Sequence, residues 1–411
     1  MKRHSVKLLS NHDDTYPHKG GIDHFLLFIT FCLVAIGFVM VYSSSNRPAY
    51  ELYNANSLRY LKTQLIAGAL GVIGLFIASY IPFRYYEKYN KHILIISILG
   101  LVLVFSPLGH NVNSESGKEF NRWVRISRFQ FQPVELVKLA MVIYVAHFLS
   151  RKHDKIRSLT HGVLPSIFVL SIVFLLLYKQ PDFGSAVLLG FVIVTLLFVG
   201  GARLSQIILL TGTACFFVYA SIQDDSYKMG RINDYLQYLT SPDDTNYQLS
   251  QSLGALAHGN LLGGGIGKSI YLRHLPEPHT DFIFTIIGEE LGFIGGVCVI
   301  ALFMLFIWRG IHIALHVTDR FASLLAFGIT ILIGVQTIVN IGVVTGMMPT
   351  KGLTLPFISY GGSSLLVSLV SIGILLNISR GIEGGEVEKQ ENVEKQWTGG
   401  GEEVKWNNWR N

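Results

Sequence analysis

The sequence predicts an all-α, polytopic integral membrane protein of about ten transmembrane helices, with a large extracytoplasmic loop between the seventh and eighth. Three observations predict it. Of 411 residues, 50% are hydrophobic and 15% charged, whereas a soluble domain carries roughly 25% charged residues. The mean hydropathy is +0.43. Apolar runs approaching the roughly 20 residues that cross a bilayer recur along the chain, and Lys and Arg gather in alternate connections between them.

The spans fall near residues 25–44, 60–81, 92–107, 134–149, 163–178, 183–200, 204–221, 282–308, 321–344 and 355–378. Residues 1–24 form an N-terminal tail without a small-residue cleavage site, so the first span is a retained helix rather than a signal peptide. Lys2, Arg3, Lys7 and Lys19 precede that span. Arg84, Lys88 and Lys91 follow the second, and Arg151, Lys152, Lys155 and Arg157 the fourth. The positive-inside rule places these segments, and with an even span count both termini, in the cytoplasm. The opposite loops, about 108–133 and 222–281, nevertheless carry Lys118, Arg122, Arg125, Arg128, Lys228, Arg231, Lys268 and Arg273. Cations kept there against the bias point to an anionic ligand.

Within the second loop, Leu249, Leu253 and Leu256 recur at helical spacing over 246–258, after a capping residue among Asp243, Asp244 and Thr245. Such a helix either lies on the membrane surface or packs on the loop's own core. GNLLGGGIGKS, residues 259–269, resembles a phosphate loop but has Leu262 where the first glycine is required, and no strand precedes it. Its glycines read as a flexible hinge or a close-approach surface. Cys32, Cys215 and Cys298 all fall in apolar runs, so neither a disulfide framework nor a metal site is implied, and no cofactor is identified. Nothing implies nucleic acid. Residues 381–411, rich in Gly, Glu, Lys and Gln with Trp397, Trp406 and Trp409, read as a disordered cytoplasmic tail.

The chemistry concentrates where loops meet spans. In LPEPHTDFIFTIIGEELG, Pro276 and Pro278 stiffen the approach to a helix that opens at Asp281 and carries Glu289 and Glu290 about two turns further in. Carboxylates at that depth are costly and usually functional. Asp281 is a candidate general base or a helix N-cap. Arg122, Arg125 and Arg128 are candidates for a pyrophosphate, which fork-shaped guanidinium groups fit, or for anchoring to lipid phosphates. Glu135 and Lys138 share a helix face as supporting charges or a structural pair. Asp182, at the mouth of the sixth span, is a supporting residue or a plain N-cap. PTKGLTLPFISYGGSS supplies Lys351, and its Ser359, Gly361 and Gly362 lie where Pro and Gly break regular helix geometry, which is tolerated at membrane depth only within protein or beside a cavity.

RWVRISRFQFQPVELVKLA, QPDFGSA, YQLSQSLGALAHG, LPEPHTDFIFTIIGEELG and PTKGLTLPFISYGGSS together resemble the SEDS family of shape, elongation, division and sporulation proteins, over the region 25–380. Thr350–Lys351 and LTLPFISYGGSS are closer to its division branch than to its elongation branch. Ser127 and Val134 depart from the family's usual Gly and Ser. The resemblance implies a peptidoglycan glycosyltransferase that polymerises lipid II on the outer face of the cytoplasmic membrane, by inverting transfer with an undecaprenyl-pyrophosphate leaving group, for septal wall synthesis. An elongation-type polymerase and a lipid II flippase, the latter using Glu135, Lys138, Glu289, Glu290, Gln336 and Asn340, are the alternatives. It implies Asp281 as the essential aspartate. It also implies a class B penicillin-binding transpeptidase and other divisome membrane proteins as partners, the transpeptidase helix packing near Gly292, Gly295 and Gly296.

Overall fold

The computed structural model describes residues 21–398, apart from 54–57, 108, 114–118, 127–128, 153–155, 157, 159–161, 224–225, 241–246, 276 and 350–351. Arg128, Lys351, Ser127 and the proposed caps at 243–245 therefore lie outside the described residues, as do residues 1–20 of the N-terminal tail and Trp406 and Trp409.

Six helices are long and apolar enough to cross a membrane: α1 (His24–Tyr53, apolar to Ser45), α2 (Arg59–Tyr80), α5 (Pro133–Arg151), α11 (Ile283–His316), α12 (Arg320–Val344) and α13 (Gly362–Thr398, apolar to Ile382). Four more are apolar but shorter: α4 (Asn90–Leu103), α6 (Leu164–Lys179), α7 (Phe183–Val199) and α8 (Leu204–Gln223). The chain is an integral membrane protein, and each of the ten expected spans has its helix. The remaining helices, α3 (Phe83–Lys88), α9 (Ser226–Thr240) and α10 (Tyr247–His258), lie in connections.

Local chemistry sets the boundaries. Pro133 starts α5 where its missing N–H costs nothing. Asp182 and Asp319 cap α7 and α12 by accepting from the N–H groups of Ser185 and Ala322. α5 runs through the middle of the bundle, buried along most of its length and packed against α4, α7 and α12. α2 lies against α13 on one flank, and α8 on the other exposes most of its side chains.

Three features depart from the sequence reading. Three strands, β1 (Gly109–Asn113), β2 (Glu119–Ile126) and β3 (Phe129–Phe131), form an antiparallel ribbon, the one sheet among the described residues. The last span begins at Gly362 instead of near 355, because Pro356, the positive φ of Phe357 (65°) and Gly361 keep the preceding segment irregular. α13 also runs to Thr398, past the start of the expected tail at 381.

The ends of the bundle differ in chemistry. At one end Arg84 pairs with Asp319 at 3.2 Å, and Glu87 lies 3.6 Å from both His147 and Arg151. The other end gathers the ribbon, the 180–182 turn, residues 259–275 and 277–282, and residues 345–349 and 352–361.

Candidate active site at the mouth of a broken helix

α11 is two helices joined end to end. Gly292 adopts φ 70°, ψ −170°, which interrupts the hydrogen-bond ladder two turns into the span. The bonds that an unbroken helix would make from Phe293 to Glu289 and from Ile294 to Glu290 are missing, and orphaned backbone groups inside a membrane cost several kcal/mol each. The glycine-rich segment supplies all four partners. Phe293 and Ile294 donate to the carbonyls of Asn260 and Leu261 (2.8 and 3.2 Å), while Gly264 and Gly265 donate to those of Glu289 and Glu290 (both 3.0 Å). This substitute turn requires backbone-to-backbone approach. A Cβ on Gly263, itself at φ +80°, would collide with the Glu290 carbonyl. Of the two readings of these glycines, close approach is the one seen. Gly292 faces Leu261 and Gly263 of the same chain, so it is unavailable to a partner helix.

The same clamp absorbs both glutamates. Each is 1% exposed. Glu289 accepts from the Ser269 hydroxyl and from the backbone N–H groups of Ile270 (2.7 Å) and Tyr271 (3.3 Å). Glu290 accepts from the Ser43 hydroxyl (2.6 Å), which in turn accepts from the Gly267 N–H (3.0 Å). α10 packs on α11 through Ser252, which bonds the Thr285 hydroxyl (2.7 Å) and the Val344 carbonyl (2.8 Å). That is the packed version of this helix.

Asp281 occupies a different setting. It is half-buried in the turn before α11, and the three consecutive carbonyls of that turn are each held from outside it. Tyr360 N–H donates to His279 O (2.8 Å), the Ser359 hydroxyl to Thr280 O (2.6 Å) and Asn340 Nδ2 to Asp281 O (2.9 Å). Ser359 Oγ also accepts from Leu355 N–H (2.7 Å), and Gln64 of α2 bridges the Ser359 carbonyl (3.1 Å) and the Gly361 N–H (3.2 Å). Gly352 lies so close that a Cβ there would stand 2.6 Å from Asp281 Oδ2. The carboxylate thus faces the segment that leads out of Thr350–Lys351. Next to it, His279 is enclosed by the rings of Tyr60 (4.6 Å) and Tyr360 (5.5 Å). Burial pushes its imidazole pKa below the ordinary value, opposed by Glu277 at 3.5 Å.

The other expected residues divide in the same way. Glu135 and Lys138 form a buried pair at 2.9 Å, and Lys138 also donates to Gln336 Oε1 (3.0 Å). Gln336 Nε2 reaches the Thr354 carbonyl (2.8 Å). Asp182 caps α7 with both carboxylate oxygens, through Ser185 N–H (3.2 Å) and its hydroxyl (2.8 Å). Arg122 donates to the carbonyls of Gln180 (3.2 Å) and Pro181 (2.7 Å), tying β2 to the turn before Asp182. Arg122 is the residue skipped in the β1–β2 pairing, where His110 faces Trp123 and Asn111 faces Asn121, and such a bulge re-aims the side chain it carries. Gly362 opens α13 against Ala67. Sequence reasoning did not single out Gln64, Ser43 or Ser269. Their polar side chains in or beside apolar runs were the available signal. Among the described residues, no group of three His, Cys, Asp or Glu side chains comes together as a metal-binding set.

The family model described as "Cell cycle protein", that of FtsW, RodA and SpoVE, matches residues 23–383. A relative from Geobacter sulfurreducens named "Probable peptidoglycan glycosyltransferase FtsW" is 41% identical over 364 residues, 88% of this chain and 96% of its own. A chain from a structure described as "structural coordination of polymerization and crosslinking by a peptidoglycan synthase complex" superposes with a TM-score of 0.71 at 28% identity, covering 88% of this chain and 98% of that one. The crystal structure of the Thermus thermophilus rod shape determining protein RodA gives 0.65 at 26% identity, covering 89% and 99%. The sequence match spans nearly the whole bundle, broken helix and HTD turn included, and the chain belongs to the FtsW/RodA/SpoVE family of cell cycle proteins.

Proposed function

We propose that the chain is a peptidoglycan glycosyltransferase that polymerises lipid II on the outer face of the cytoplasmic membrane, with Asp281 as general base. The observation that carries the reading is the setting of Asp281: a half-buried carboxylate at the mouth of a broken span, on a turn whose three carbonyls are fixed from outside it. An incoming sugar hydroxyl gives its proton to the Asp281 carboxylate as its oxygen attacks the donor's anomeric carbon from the opposite side to the leaving group. The bond from that carbon to the phosphate oxygen breaks, and its electron pair leaves with undecaprenyl pyrophosphate. Fixed cations stabilise that developing charge. Arg122, Arg125, Arg128 and Lys351 are the candidate cations, Arg122 acting through N–H donors beyond the two that hold the 180–181 turn. Glu135, Lys138, Asp182, Glu289, Glu290, Ser359, Gly361 and Gly362 support the site from around it.

The basic connections at the far end from Asp281 support a cytoplasmic location for that end and for both termini. Relatives bearing the division name support a septal role, with a class B penicillin-binding transpeptidase as the crosslinking partner. The test is glycan-strand formation from purified lipid II by the purified protein, alone and with candidate transpeptidases. Polymer made by the wild type and lost in Asp281→Asn is expected. A well-folded protein that makes none under any partner condition overturns the reading.

A further inference from the structure

We propose that Asn340 and Gln336, two amides one turn apart on α12, are positioning residues that set where the Asp281 carboxylate stands; this rests on reading Asp281 as the base. Both are buried, and four-residue spacing puts them on the same face of the helix. The orientation of each amide is fixed by its neighbours. Two carbonyls can only accept, so the Asn340 NH2 must face Asp281 O (2.9 Å) and Leu353 O (2.6 Å). Its Oδ1 is then buried without a hydrogen-bond partner among the described residues, a state native proteins seldom tolerate without a reason. At Gln336 an ammonium can only donate. Lys138 therefore takes Oε1 (3.0 Å) and leaves Nε2 for the Thr354 carbonyl (2.8 Å) and hydroxyl (3.3 Å).

Together the two amides fix Leu353 and Thr354 against α12, and Asn340 fixes the Asp281 backbone to the same place. Gly352, directly before this stapled pair, is the residue that meets Asp281 Oδ2. The distance between base and facing segment is thus set by donors on α12. On this view the Glu135–Lys138 pair acts through Gln336, by holding its amide the right way round.

The test compares Asn340→Ala, Gln336→Met, Asp281→Asn and a control, Thr337→Val, in the purified full chain with lipid II as substrate. The Thr337 hydroxyl bonds the Ile333 carbonyl of its own helix (2.9 Å), so this variant perturbs α12 between the two amides without touching the staple. Misplacing a catalytic group by about 1 Å can cost about 100-fold in rate. Asn340→Ala is expected to lower kcat about 10–100-fold with KM changed less than about twofold, and to move the acid limb of the pH–rate profile. Gln336→Met shows the same pattern more weakly. Thr337→Val lowers the melting temperature with kcat and the pH profile unchanged. Wild-type kcat and an unmoved pH profile in folded Asn340→Ala, with Asp281→Asn inactive, overturns the positioning role and leaves the base in place. If Asn340→Ala does not fold, unchanged kcat in Gln336→Met overturns it. Wild-type activity in Asp281→Asn removes the reading beneath it.

Discussion

Three carboxylates occur within ten residues of one another at the start of α11, in two environments that could hardly differ more. Glu289 and Glu290 are 1% exposed and surrounded by hydroxyl and backbone donors from α1 and the glycine-rich segment. Asp281 is half-buried, and the structure grips its backbone while leaving its side chain facing Gly352. The depth argument that marks all three as functional is right about cost and does not separate two ways of meeting it. A fully buried carboxylate whose oxygens accept from hydroxyl and backbone donors holds architecture; a half-buried one whose main chain is held from three sides is placed for chemistry.

The largest expected effect tests this division directly. Asp281→Asn should lower polymerisation about 10²–10⁴-fold, the usual contribution of a general base, with melting unchanged. Glu289→Gln should do the opposite, costing about 1–3 kcal/mol of stability through mismatched buried donors while turnover per folded molecule stays within a few-fold. Thermal melting alongside glycan synthesis reads both.

Gly263→Ala attacks the clamp from its other side. It forces an L-residue into φ +80° against the Glu290 carbonyl, and such backbone strain costs about 1–3 kcal/mol. A lower melting temperature is expected, with hydrogen exchange quickening at Phe293 and Ile294 before the rest of α11. Unchanged protection there would mean that the substitute turn does not hold the break.

Arg122→Lys keeps the charge and loses the fork that holds the Gln180 and Pro181 carbonyls. If Arg122 acts by directed bonds, polymerisation drops about tenfold, the effect of about 1.4 kcal/mol. Full activity would make charge alone sufficient.

The smallest effect concerns pH. Burial lowers the His279 pKa, with Glu277 opposing, so the folded state binds this proton less readily than the unfolded state. Stability from this group is complete above the ordinary histidine value near 6.5 and declines as pH falls below it, toward the lower folded value. His279→Phe should flatten that part of the melting-versus-pH curve. An identical curve would assign the acid sensitivity elsewhere.

The helices were legible because hydropathy is a local signal, and each expected span has its helix. The turn that carries Asp281 stood out as a candidate because proline and charge cluster around it. The clamp was not. Its bonds join Ser43 to Glu290, 247 residues apart, and backbone groups of 260–265 to a helix whose break no single residue announces. The ribbon at 109–131 was missed because the sequence reading sought spans and took the loop as irregular. Arg122 was read as a candidate for a pyrophosphate or for lipid anchoring, and a sequence shows its charge but not the carbonyls of Gln180 and Pro181 that it engages. The amides of α12 were visible as polar residues in an apolar run, but their partners are carbonyls, which every residue has.

The measurement that bears most directly on the account is lipid II binding beside turnover in the Asp281→Asn protein. A base that acts on the proton and leaves recognition to other groups predicts binding within a few-fold of wild type and no detectable polymer. Polymer at the wild-type rate, or binding lost in step with activity, would contradict it.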